Sequence, residues 1–137
     1  AFSRYLRELG DSDEQNFSVE RYLRDGFGAD PAFAGFIAEQ GAAPAGYLLY
    51  HIGYDVDQAT RVVHIIDLWV DPGARRAGIG RRLMAAAAER ARAKGATAMI
   101  WSVFAPNKLA ADFYQRLGAR FYGELRFMHM PVGSLLR

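Results

Sequence analysis

Tyr5, Leu6 and Leu9 sit at helical spacing and stop at Gly10, which predicts a short helix over residues 3–9. The polar, acidic run from Asp11 to Asn16 reads as a loop. Ser18 then stands where a helix cap belongs, ahead of a second helical pattern from Val19 to Arg24 closed by Gly26. After the Asp30-Pro31 turn the pattern changes to that of strands. Phe33–Glu39, Tyr47–Tyr54 and Arg61–Val70 are rich in β-branched and aromatic residues. Turn residues separate them at Gly41–Pro44 and Asp55–Ala59, so an antiparallel meander is predicted.

Asp71-Pro72 stops the third strand, and a loop rich in Gly and Arg follows from Gly73 to Gly80. Leu83–Lys94, with its alanine run, is strongly helical and ends at Gly95. Thr97–Phe104 reads as a strand, Asn107–Leu117 as a helix closed by Gly118, and Phe121–Pro131 as a last strand. Strand, glycine-rich loop, helix and strand make a βαβ unit, whose two strands run parallel. The class is therefore α/β (α+β in some schemes).

The segment Arg75-Arg-Ala-Gly78-Ile-Gly80-Arg-Arg82 joins the third strand to that helix. Free backbone N–H groups and the helix dipole favour an anion there. Glycine lets a backbone approach a pyrophosphate closely, and Arg75, Arg76, Arg81 and Arg82 add bidentate donors. A glycine loop with solvated arginines at a helix start would look the same. The Gly-Lys-Ser/Thr ending of a Walker loop is missing, and so is GxGxxG.

Composition narrows the chemistry further. The 137 residues, 51% hydrophobic and 23% charged, suit one globular domain. With no cysteine there is no disulfide scaffold, thiolate zinc site or thiol nucleophile. His51, His64 and His129 are too widely spaced for a compact metal motif, and no metal is expected. His51 and His64 fall inside strand patterns and read as hydrogen-bonded sheet residues rather than bases. No apolar stretch reaches about 18 residues, so no membrane partner is expected. The start Ala1-Phe-Ser-Arg-Tyr is not a secretory signal, and a cytoplasmic protein is expected. Basic residues number 15 Arg and 2 Lys, yet net charge is only +2, and no aromatic stripe interleaves the basic run. Nucleic acid is therefore not an expected partner.

Arg75-x-x-Gly78-x-Gly80 resembles the acetyl-CoA signature of GNAT-type N-acetyltransferases. Asp67-Leu-Trp-Val70 is similar to that family's central strand, and Asn107-x-x-Ala110-x-x-Phe113-Tyr114-x-x-Leu117-Gly118-Ala119 to its later helix. Asp25-Gly-Phe-Gly28, Pro31, Phe33, Ala38-Glu39 and Gly46-Tyr-Leu-Leu-Tyr50 running to Tyr54-Asp55 resemble the diamine/polyamine (spermidine/spermine) branch. The resemblance covers nearly the whole chain. It implies a single domain over residues 1–137, with a mixed sheet, helices on both faces and a splayed pair of parallel strands. The family's first strand, which should precede residues 3–9, is missing, so the domain is expected to be N-terminally incomplete.

The resemblance also implies roles. Acetyl-CoA would be the donor. Leu68, Trp69 and Val70 would pair with its pantetheine arm, a bulge in their strand opening the slot. Arg75, Arg76, Ala77, Gly78, Ile79, Gly80 and Arg81 would hold the pyrophosphate. Asn107, with Ala110, would meet the pantetheine or an ordered water; equally, Asn107 can be a plain helix cap. Tyr114 would act as general acid toward the departing thiolate, although aromatics at helical spacing also fill cores.

Many relatives carry a glutamate before the strand's Asp, as the base; here Ile66 stands there, so either a water chain takes the proton to bulk or another group substitutes. Asp67 is a weak replacement, because adjacent strand residues face opposite sides. Tyr54, Asp55 and Glu124 are further candidates for an amine pocket, or else solvated strand ends. The expected acceptor is a small amine: a polyamine, a diamine or a lysine-like amine. The same fold could instead serve an aminoglycoside, an aminoalkylphosphonate or a protein N-terminus, or be a CoA-binding regulator without catalysis. A homodimer is expected, with Phe121–Met130 available for strand exchange.

Overall fold

The computed structural model describes residues 18–136; the helix predicted over 3–9 and the acidic loop lie outside them. Two compact units emerge, one running to Ser102 and the other starting at Val103.

In the first unit, helix α1 (Val19–Phe27) is capped by Ser18, whose hydroxyl oxygen accepts from the Arg21 N–H at 3.2 Å. The helix runs through Gly26 instead of stopping there and is closed at Gly28. Strands β1 (Ala34–Gln40), β2 (Ala43–Asp55) and β3 (Thr60–Val70) form the predicted antiparallel meander. β2 is longer at both ends than its apolar pattern suggests, since pairing on both edges carries it past the last apolar residue. Helix α2 (Ile79–Ala93) starts four residues before the expected Leu83, because Gly78 already serves as its cap. Gly95, at φ 75°, follows its end. Strand β4 (Ala96–Ile100) lies parallel to β3, giving the order β1-β2-β3-β4. It stops at Ile100 rather than the predicted Phe104, where its pairing with β3 runs out.

Alternation along β2 and β3 sends side chains to two faces. One face carries Leu48, Tyr50, Val63 and Ile65, all at most 5% exposed, and packs beneath α2, which buries Ile79, Leu83, Met84, Ala87 and Ala91. Burying a Leu or Val completely is worth about 1.5–3 kcal/mol, and Leu48 and Val63 are buried completely. The other face carries Tyr47, Leu49 and Ile37, which with Ser18, Tyr22 and Phe27 line an apolar cavity of about 650 Å³. Helices thus lie on both faces of the sheet.

The second unit contains helix α3 (Lys108–Arg116), with Asn107 as its cap. The strand predicted over Phe121–Pro131 does not form; the segment has no paired partner among the described residues, and a single 3-10 turn follows at Val132–Ser134. An apolar pattern makes a strand only where an edge receives it.

Candidate functional site

β3 has two halves. From Arg61 to His64 it pairs with β2 on one edge and β4 on the other. From Ile65 to Val70 it keeps β2 but has no paired strand on the second edge among the described residues. The fork is at His64, opposite Ile100. Just beyond it the register slips: Tyr50 faces Ile65 and Leu49 faces Asp67, leaving Ile66 as the extra residue of a bulge, 47% exposed. Bulges bend and twist a strand, which suits one parting from its parallel neighbour. The open edge spans six residues, roughly 20 Å at strand rise, and contains the expected Leu68, Trp69 and Val70. Trp69 is buried and stacks on Tyr47 at 6.0 Å between centroids.

The glycine loop closes one end of this edge. Asp71 caps the 3-10 turn Pro72–Ala74, its carboxylate accepting from the Gly73 N–H at 3.0 Å. Arg75 Nε donates to the Val70 carbonyl at 3.0 Å, tying the loop back to the strand. Arg75 is therefore a loop fastener in part, which its place in an arginine run did not reveal. Arg76 is exposed and left-handed at φ 63°. Gly78, at φ 77°, caps α2 with no side-chain hydrogen bond, and nothing lies within 4 Å of where its Cβ would be. The first helical bond is Arg82 N–H to Gly78 C=O. The N–H groups of Ile79, Gly80 and Arg81 precede it and have no carbonyl within the helix to bond. Exposed Ala77 lies beside them, and the exposed Arg81 and Arg82 open the helix. This donor set fits a pyrophosphate: backbone N–H groups, a helix dipole and exposed guanidinium groups lie at one helix start, with open space beside Gly78.

The Asp67 carboxylate accepts from the Tyr47 hydroxyl at 2.7 Å, on the face away from α2. Tyr54 and Asp55 sit at the tip of the β2–β3 hairpin, opposite Arg61 and Thr60. That tip is roughly 30 Å along β3 from the glycine loop. Tyr54 is exposed, and Asp55 accepts from the Gln58 N–H at 3.1 Å, a turn bond.

The same face holds a pair that sequence spacing did not disclose. His51 and His64 stand opposite each other across β2 and β3. His64 Nδ1 lies 2.9 Å from His51 Nε2, with the rings edge to face at 4.7 Å. Both are half-buried. Burial, and then the charge of the neighbouring His51, hold His64 below the usual imidazole range. Only the cross-strand register joins residues so far apart in the chain.

The remaining predicted residues belong to the second unit. Asn107 Oδ1 accepts from the Ala110 N–H at 3.1 Å, so it is a true cap. Its amide N–H₂ donors are not used in that bond. Tyr114 is half-buried on α3, beside Phe113 at 5.2 Å between ring centroids. Glu124 is exposed in the segment after the helix.

The sequence pattern of the Acetyltransferase (GNAT) family matches residues 3–119. A thialysine N-epsilon-acetyltransferase of Sus scrofa is 35% identical to this chain over 92% of it and 81% of that protein. One of Caenorhabditis elegans is 39% identical over 80% of this chain and 69% of that protein. Among solved structures, an integron cassette protein from the mobile metagenome of V. cholerae has a TM-score of 0.80 at 24% identity, covering 98% of this chain and 83% of that one; this likeness bears on the fold alone.

Proposed function

The chain belongs to the acetyltransferase (GNAT) family and is an acetyl-transferring enzyme, and from that premise we propose that it moves an acetyl group from acetyl-CoA directly to a small primary amine. A lysine-like amine is the first acceptor we assign, as the names of the relatives suggest, with diamines and polyamines next. The uncapped start of α2 at the end of a half-open strand carries this reading.

Bound acetyl-CoA supplies an activated acyl carbon on a sulfur leaving group. The N–H groups of Ile79, Gly80 and Arg81, with Arg76 and Arg81, hold its pyrophosphate, and Arg75 keeps the loop in place. The open edge of Leu68–Val70 pairs with the pantetheine arm and aligns it with β3. Tyr114 donates a proton to the departing sulfur. Direct transfer suits a chain without cysteine. Residues 1–137 act as one acetyltransferase domain in this proposal, and the exposed apolar run from Phe121 to Met130 supports association with a second copy.

The test is thiol release from acetyl-CoA against thialysine, putrescine, spermidine, an aminoglycoside and an aminoalkylphosphonate, alongside calorimetric binding of CoA. Release with the lysine-like or polyamine acceptors is expected. CoA binding without release for any acceptor would leave a CoA-binding regulator, and failure to bind CoA would overturn the reading. Sedimentation of the same sample gives the oligomeric state.

A further inference from the structure

Resting on that acetyl-transfer reading, we propose that the hydrogen-bonded pair His64–His51 takes the proton from the substrate ammonium, in the place of a carboxylate at position 66.

Three observations converge. The pair stands at the fork, on the last residue of β3 that β4 pairs. With the pyrophosphate at the loop after Val70, an arm lying along the open edge brings its reactive end to the other end of that edge, which is the fork. Ile66, the bulge residue between, has no proton-accepting group, and Asp67 is engaged by Tyr47. The imidazoles lie roughly 7 Å along the strand from Ile66, within reach of an ammonium through one water.

The geometry of the pair suits a proton acceptor. One bridging proton serves the Nδ1···Nε2 bond. With it on His64 Nδ1, His64 Nε2 has a free lone pair. Uptake of a proton there gives a cation spread over two rings. The amine nitrogen then bonds to the acyl carbon as the C–S bond breaks, and the second proton it sheds is the one the departing sulfur takes up to become the thiol. The first proton leaves His64 for water. Other titratable or charged groups on this side of the described sheet are Tyr47, Asp55 and Asp67, while α1 carries Glu20, Arg21, Arg24 and Asp25. Because burial and His51 lower the His64 pKa, His64 is able to accept a proton at neutral pH. Activity is lost as pH falls through its ionisation.

The experiment measures kcat/KM against pH for acetyl transfer to the fastest acceptor of the panel, with CoA binding and thermal unfolding as controls. His64→Gln should lower kcat/KM at neutral pH by about a hundredfold, abolish the acid limb and leave CoA affinity unchanged. Adding Ile66→Glu to His64→Gln should restore at least about tenfold. His51→Gln removes the charge that lowers His64, so its acid limb should move to higher pH; this variant carries the test if His64→Gln fails to fold. An active His64→Gln enzyme with the wild-type pH profile, or an unshifted limb in His51→Gln, would overturn the pair's role. A wild-type chain with no amine transfer would instead bring down the functional reading, and the pair's role with it.

Discussion

The two helices that carry the expected chemistry begin in opposite ways. At α3, Asn107 spends its side-chain oxygen on the Ala110 N–H. At α2, Gly78 is left-handed and has no side chain to spend, so no side chain caps the first N–H groups. A capped start secures a helix, worth about 1 kcal/mol. An uncapped start gives up that stability and keeps its donors for a ligand. In the proposed reading the first suits the helix that carries Tyr114, the second the helix that would bind the donor.

That division can be broken most severely at Tyr114. Tyr114→Phe should lower kcat by about a hundredfold or more while CoA affinity, by calorimetry, stays as it was. Gly78→Asp should do the reverse. Aspartate tolerates the left-handed region but caps the free N–H groups and adds a negative charge, so CoA should bind about a hundredfold more weakly. Arg76→Gly sharpens the contrast by separating shape from charge. It retains the positive φ and removes the guanidinium; CoA binding should weaken about tenfold while stability changes by less than about 1 kcal/mol. Smallest is Asn107→Ala, which should cost about 1 kcal/mol in denaturant unfolding, with Asn107→Asp neutral. A large loss of CoA affinity in Asn107→Ala would show that its amide also serves the donor.

Helix α3 was legible in the sequence because its signals are local. Asn107 at its start and Gly118 beyond its end lie within one or two turns of the residues they control. The meander and the parallel β3–β4 pair followed in the same way, from period and turn chemistry. Phe121–Pro131 misled because its apolar residues resemble a strand's, and whether a strand forms depends on a neighbouring edge that lies elsewhere in the chain. The bulge at Ile66 left no local mark either; it shows only in the slip between Leu49 and Tyr50 on the facing strand.

The candidate site divides along the same line. Gly78, Gly80 and the arginines could be read as an anion loop because a helix start, a dipole and a glycine are properties of a few consecutive residues. The fastening of Arg75 to Val70, the engagement of Asp67 by Tyr47 and the joining of His51 to His64 could not. Local steric and hydrogen-bonding preferences are carried by the residues themselves, so the sequence alone determined the order of elements from α1 to α3 and the place of the glycine loop. Register is chosen by burying one face of the sheet under α2, and a one-residue slip would turn every side chain over; only tertiary packing could decide which side chains meet.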